Sequence, residues 1–294
     1  MLPDKSRVAA SVLRALPRKR LSRGMGRLAD LPVPSAVLDR LVDVYVRAYD
    51  VDLSECEVPE GGYPSFDAFF TRRLRPGARP LDPDPDALLC PADGRIEAAG
   101  VIARGARFDV KGHSYDVGEL LGDPTRAATF AGGSFCIVYL SPRDYHRVHV
   151  PVTGRVHEAR YVAGTLFPVN AIGLRHVPNL FAKNERVAVH QESDVFGEVV
   201  SILVGAIGVG RIGVAFDEEL TTNVGRPAIA RDYGAHGPLL RRGDELGVFH
   251  LGSTVILLAP PSAALEWVPA VGAAVRMGTA LARRRAPAVG GARA

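Results

Sequence analysis

Apolar residues recur at three- and four-residue intervals only in the front of the chain. Between residues 7 and 29, Val8, Val12, Leu13, Leu16, Leu21, Met25 and Leu28 sit among Arg and Lys, and Pro17 interrupts them. This spacing predicts two short basic amphipathic helices, a pattern that can lie in a membrane interface. Residues 35–49 read as a clearer helix. Val37, Leu38, Leu41, Val42, Tyr45, Ala48 and Tyr49 share one stripe, while Asp39, Arg40, Asp43 and Arg47 face away. Ser65 is placed to cap a short helix through Phe66, Phe69, Phe70 and Leu74. A Pro-rich connector follows, from Arg75 to Pro85.

From Leu88 the pattern changes to short β-type runs separated by Gly, Asp and Pro. The runs are Arg95–Val101, Arg107–Val110, Ser134–Leu140, Arg147–Val150, Arg155–Val162, Arg186–Gln191, Val199–Val204, Arg211–Phe216, Glu245–Phe249 and Thr254–Leu258. Many short strands with close turns predict a mainly antiparallel body. The fold class expected is therefore α+β, an N-terminal helical segment followed by a mainly antiparallel β body. The expected domains are a helical, basic front at 1–80 and a β-rich body at 81–294. The final ~20 residues, rich in Ala, Gly and Arg, are expected to fray.

Composition narrows the classes. The chain has 294 residues, 47% hydrophobic and 23% charged, which excludes bulk disorder. The longest weakly polar run, Val199 to Gly210, is broken by Ser and Gly and stopped by Arg211, so no spanning helix is expected. The basic N-terminus has no continuous apolar stretch, and a cleaved secretory signal is not expected. Cys56, Cys90 and Cys136 are too widely spaced for a Cys-x-x-Cys site and odd in number, so buried thiols in a reducing compartment are the reading preferred. No metal site is expected.

The net charge of +4 is unevenly spread. Residues 1–27 carry eight Lys/Arg against Asp4, residues 276–294 carry five Arg and no acid, and the remaining body is acidic. Basic ends on an acidic body fit an anionic surface met at the edges, and argue against a nucleic-acid groove. Arg outnumbers Lys by 32 to 4, so part of this pattern is compositional bias and a solvated tail is the alternative.

Three segments could carry chemistry. Pro91-Ala92-Asp93-Gly94 is, alone, a turn. Tyr145-His146-Arg147-Val148-His149-Val150-Pro151 holds two His three apart, without further ligands at a useful spacing for a metal. In a regular strand His146 and His149 would point to opposite faces, so one packed and one exposed His is an open reading. Both address one pocket only if the backbone bends or one of them lies outside the strand. His250-Leu251-Gly252-Ser253-Thr254 lies between two β runs and reads locally as a turn or bulge. A second reading uses the missing side chain of Gly252. Its carbonyl is open to attack, its backbone can enter strained conformations, and the Ser253 hydroxyl can reach the carbonyl before it. The result would be an N→O acyl shift, helped by a carboxylate–imidazole pair.

Taken together these segments resemble the phosphatidylserine decarboxylase family in its bacterial, membrane-associated form. The matching stretches are Pro-Ala-Asp-Gly at 91–94, Lys-Gly-His-Ser-Tyr at 111–115 and Tyr-Leu-Ser-Pro-Arg-Asp-Tyr-His-Arg-Val-His at 139–149. Leu-Phe-Pro-Val-Asn at 166–170, Pro-Asn-Leu-Phe-Ala-Lys-Asn-Glu-Arg-Val at 178–187 and Leu-Gly-Ser-Thr at 251–254 complete them. They run in the family's order over about residues 65–258, and the basic C-terminal tail lies outside the pattern.

The resemblance implies roles. Asp93, His149 and Ser253 fall on the family's self-cleavage triad, with His149 as base and Asp93 orienting it. The cleavage site is Gly252–Ser253, giving a β chain, 1–252, and an α chain, 253–294. The β body would thus be built around the self-cleavage site. Ser253 would become a pyruvoyl group, the cofactor, which decarboxylates phosphatidylserine to phosphatidylethanolamine through a Schiff base with its amine. His146 would reprotonate the carbanion or assist decarboxylation. Phe167 and Asn170 are candidate substrate-site residues, against an equal reading as core and turn. The partners implied are phosphatidylserine in an anionic membrane and the protein's own two chains as a heterodimer, with a homo-oligomer left open and no nucleic acid. The place implied is peripheral, on the cytoplasmic face of the cell membrane. The competing readings are a Ser-His-Asp lipid hydrolase without self-cleavage, which would want a Gly-x-Ser-x-Gly elbow, and a non-catalytic lipid-binding module.

Overall fold

The computed structural model describes residues 18–208, 211–223 and 227–285. Immediately after Pro17 a helix runs over Arg18–Asp30. The first of the two basic helices expected in 7–29 lies outside the described residues. The second helix, Ser35–Tyr49, follows Pro34 and ends where Asp50 turns into the left-handed region at φ 54°, its N–H returning to the Val46 carbonyl. The third, Phe66–Phe70, is capped as expected: the Ser65 hydroxyl accepts from the Ala68 N–H at 3.1 Å.

Among the described residues the body holds a nine-stranded sheet, antiparallel throughout. Its order is Ile229–Asp232, Gly154–Val162, Arg186–Ser193, Gly197–Gly205, Ser253–Ala259, Ser134–Leu140, Gly94–Val101 and Ala274–Val275, with Leu239–Leu240 also pairing Gly154–Val162. Ser253–Ala259 is buried at every position and paired on both sides, which is why it reads as a continuous apolar run rather than an alternating one. Val255, Ile256, Leu257 and Leu258, each fully buried, contribute roughly 1.5–3 kcal/mol apiece to the core. A second sheet has the order Arg211–Val214, Glu245–His250, Arg147–His149. The chain therefore passes from the second sheet to the first across Leu251 and Gly252.

The end of the chain differs from expectation. Ala280–Arg284 is the central strand of a third sheet, between Ala87–Leu89 and Leu265–Trp267, and Leu281 and Ala282 are fully buried. Fraying is the expectation from an Ala-, Gly- and Arg-rich terminus. Strand pairing on two edges satisfies the backbone regardless of composition, and small Ala side chains fit between neighbours. The last residues of the tail, 286–294, lie outside the described residues. Cys56, Cys90 and Cys136 are buried free thiols, as expected.

The front docks on the body by polar contacts. Ser22, fully buried, accepts from the Gly208 N–H, and the Arg23 Nε donates to Asn223. Arg211 pairs with Asp30 at 2.6 Å. Tyr45 packs edge-on against Phe66 and Phe69, and its hydroxyl donates to the Pro142 carbonyl at 2.9 Å. The apolar stripe is mostly outside the core. Of the Ser35–Tyr49 helix only Leu38 is buried, while Leu21, Met25, Leu28, Val37, Leu41, Val44 and Tyr49 are exposed.

Candidate functional site

The switch between sheets is conformationally strained. Leu251 has φ 81° and Gly252 φ 65°. A positive φ on Leu is uncommon and costs about 1–2 kcal/mol, a cost that the flanking strands override. A Cβ built on Gly252 would meet nothing within 4 Å. Glycine is therefore suited here by its backbone conformation and not by crowding. The next residue, Ser253, faces Leu140 on one side and Gly205 on the other. It is 1% exposed, and among the described residues its hydroxyl has no hydrogen-bond partner. A buried hydroxyl left in this way costs about 1–3 kcal/mol. Thr254 Oγ1 is buried and unpartnered as well.

His149 ends the strand Arg147–His149, opposite Glu245. Its Nδ1 lies 2.8 Å from the Gly243 carbonyl and therefore carries the proton; its Nε2 accepts from the Tyr145 hydroxyl at 3.0 Å. Burial first, partly offset by the Gly243 carbonyl, holds this imidazole below the usual histidine range. The ring is thus neutral and presents an acceptor, the state a base requires.

Asp93 stands about two strand spacings, ~10 Å, from the Ser253 strand, since Arg95 faces Tyr139 and Tyr139 faces Thr254. Its carboxylate is held by Arg79 at 2.6 Å and accepts from the Met277 N–H at 2.8 Å. No hydrogen bond joins Asp93 to His149 or His149 to Ser253 in this arrangement. The segment carrying Asp93 does touch the histidine, because the His149 N–H donates to the Pro91 carbonyl at 2.7 Å.

His146 lies one residue before its strand begins, which resolves the alternation question: it does not follow the pleat that carries His149. It is fully buried and packs against Phe70 at a tilt, with ring centroids 4.1 Å apart. Its Nδ1 donates to the Asp144 carbonyl at 2.7 Å, and Nε2 is buried without a partner among the described residues. Burial, reinforced by the charge of Arg72, pushes it down to about 3. His146 is therefore a neutral acceptor at any physiological pH.

Phe167 is buried, and Asn184 clamps its backbone. Asn184 accepts from the Phe167 N–H and donates to the carbonyls of Phe167 and Gly205, each at 2.8 Å. Gly205 faces Ser253, so the segment is stitched one strand from that residue. Asn170 is exposed and accepts from the Gly173 N–H at 3.2 Å, opening the helix Ala171–His176.

Sequence reasoning overlooked three residues. Tyr145 sits inside the quoted His motif, and its hydroxyl engages His149 Nε2. Arg79 lies in a stretch read as connector, yet it holds Asp93 and also Glu55, the latter at 2.7 Å. Asp67 accepts from His250 Nδ1 with both carboxylate oxygens at 2.8 Å, pinning the residue two before Gly252 to the third helix. No local signal marks Arg79 or Asp67, since both act across long stretches of chain.

Two cavities flank the region. One, about 820 Å³, is polar and is lined by Asp93, Tyr145, Arg72, Arg79, Arg143 and Arg276 among others. The other, about 480 Å³, is apolar and is lined by Met25, Leu28, Leu41, Tyr45, Phe66, Phe70, Leu251 and Gly252 among others. The second cavity connects the exposed apolar residues of the front with the strained turn. Among the described residues no helix is long and apolar enough to cross a membrane.

The model of a family described as phosphatidylserine decarboxylase matches residues 66–283. A phosphatidylserine decarboxylase proenzyme of Xanthomonas campestris pv. campestris is 45% identical over 280 residues, covering 95% of this chain and 99% of that protein. A proenzyme of the same name from Bordetella pertussis is 45% identical over 287 residues, covering 96% of each chain. One from Bordetella petrii is 46% identical over 278 residues, 92% of this chain and 96% of its own. With a family match over most of its length and relatives this similar end to end, the chain belongs to the phosphatidylserine decarboxylase family.

Proposed function

We propose that the chain is a self-processing, pyruvoyl-dependent decarboxylase of phosphatidylserine that works at a membrane surface. The observation that carries this reading is the Ser253 hydroxyl, buried and unpartnered directly after two consecutive positive-φ residues. A hydroxyl with no other engagement, beside a strained amide, is suited to attack the Gly252 carbonyl. His149, neutral, takes the hydroxyl proton once Tyr145 yields Nε2, and the ester forms as the Gly252–Ser253 amide breaks. Loss of the Ser253 Cα proton then expels the Gly252 carboxylate and leaves dehydroalanine. Water releases ammonia from it, and a pyruvoyl group remains at the head of the 42-residue fragment 253–294. That group supplies the electron sink that decarboxylation of an amino acid needs.

The chain's own residues supply the rest. Asp93, fixed by Arg79 and Met277, places a negative charge near the imidazolium that forms on His149. The reading of His146 as the group that reprotonates the carbanion or assists decarboxylation is supported by its buried Nε2, unpartnered among the described residues. The apolar cavity at Gly252 suits acyl chains. The basic helix Arg18–Asp30, with Leu21, Met25 and Leu28 exposed, supports peripheral attachment to anionic lipid on the cytoplasmic face. A conventional serine hydrolase fits poorly. Its nucleophile stands on an exposed strand–turn–helix elbow, whereas Ser253 lies in a strand paired on both sides.

The test is the intact mass of purified protein, with turnover of phosphatidylserine vesicles. Wild type is expected as two fragments, the smaller beginning with pyruvoyl, and Ser253→Ala as one species of 31.4 kDa without turnover. Active, uncut wild-type protein would refute the reading.

A further inference from the structure

We propose that His157, His190 and Glu198 form a site for a divalent cation of the zinc class, remote from the cleavage turn. They come from three consecutive neighbours in the large sheet: Gly154–Val162, Arg186–Ser193 and Gly197–Gly205. His157 is the extra residue of a β-bulge, because Val156 faces Gln191 and Glu158 already faces His190. A bulge re-aims the side chain it carries, and here the imidazole turns toward the other two residues. The three ligand atoms lie within 4.8 Å of one another. Glu198 Oε1 is 2.8 Å from His190 Nδ1 and 3.4 Å from His157 Nε2. Ligands bound at ~2.0–2.1 Å around a tetrahedral ion stand about 3.3 Å apart, so a small outward shift of His190 opens the set to a metal.

Two further observations point to a cation. Glu192 faces Glu198 directly across the hairpin, a like-charge pair that destabilises the sheet unless something neutralises it. His190 is 1% exposed, and its Nε2 is buried with no partner among the described residues. The bond to Glu198 puts the proton on Nδ1, which a metal can displace, and leaves the Nε2 lone pair unused.

The surroundings leave a ligand position open. The site borders a cavity of about 640 Å³ that Glu192, Asp194, Arg126 and Arg155 also line. Arg126 is the competing charge, 3.3 Å from Glu198 Oε1, but its shorter bond is to Glu158 at 2.7 Å, where it can remain. Two imidazoles and one carboxylate with an open position suit Zn²⁺ better than Ca²⁺ or Mg²⁺, which prefer oxygen ligands. The site is far from the cut, since Glu198 lies seven residues along its strand from Gly205, the partner of Ser253, or about 23 Å.

The experiment uses the full chain stripped with chelator and titrated with Co²⁺, then Zn²⁺. One equivalent of Co²⁺ with the intense visible bands of a low-coordinate ion, displaced by Zn²⁺, is expected. His157 is partly exposed, so His157→Ala should fold; it should weaken binding at least ~100-fold while self-cleavage on a denaturing gel is unchanged. Glu198→Gln should abolish the Co²⁺ spectrum as well. Failure to take up one equivalent, a six-coordinate spectrum, or binding by His157→Ala as tight as wild type would overturn the proposal.

Discussion

At the scale of single residues, function and stability are opposed. The unpartnered Ser253 hydroxyl and the positive φ of Leu251 both cost folding free energy, and in the proposed self-cleavage both would prepare the same bond. Gly252→Ala tests the conformational part alone, because a methyl group there meets nothing. In the uncut Ser253→Ala background it should lower stability by about 1 kcal/mol, read as a shift of a few degrees in thermal midpoint, through backbone strain. A much larger loss would mean that contacts, not φ, choose glycine. His146 makes a second residue-scale prediction. Its folded pKa, about 3, lies below the unfolded value near 6.5, so between these values the unfolded chain binds the extra proton. Stability is then full above pH ~6.5 and falls as pH drops toward ~3, by up to ~1.4 kcal/mol per pH unit. His149 is shifted in the same direction. Denaturation midpoints of His146→Gln should show a shallower acid slope than wild type, and equal slopes would assign the loss to other groups.

The elements divide the work between two surfaces. The helices Arg18–Asp30 and Ser35–Tyr49 keep helical spacing of apolar residues but direct much of that stripe outward, around the mouth of the apolar cavity. An amphipathic helix that does not bury its apolar face in the protein needs another apolar phase, and a bilayer interface provides one. Replacing Leu28 and Leu41 by Asp should therefore reduce binding to anionic vesicles by tenfold or more, measured by co-sedimentation. Both side chains are exposed, so self-cleavage and thermal midpoint should stay near wild type. A variant that sediments as well as wild type would place the lipid surface elsewhere.

Across the whole molecule, the proposed cut falls where two sheets meet, and strand pairing spans it. Ser253–Ala259 is held between Ser134–Leu140 and Gly197–Gly205, and Ala280–Arg284 between Ala87–Leu89 and Leu265–Trp267. Met277, beyond the cut, also donates to Asp93, before it. Severing one peptide bond removes none of these pairings. The two fragments should co-elute on gel filtration in native buffer and separate only under denaturant. Separation in native buffer would show that the covalent link, not the sheet, holds this region together.

What the sequence determined by itself was local or periodic. Helical spacing at 35–49, the Ser65 cap and ten β runs follow from side-chain pattern, since each depends on residues a few positions apart. The motifs around Asp93, His146, His149 and Ser253 were legible because they are contiguous. Only the tertiary structure decided what depends on distant partners: that Arg79 grips Asp93, that Asp67 pins His250, that Tyr145 covers His149, and that the Arg-rich end completes a sheet. The same holds for the outward direction of the front helices and for the meeting of His157, His190 and Glu198. Hydrophobic period gives an element's type but not which neighbour covers its face, and strand registry, which no stretch of sequence states, sets which side chains share a space.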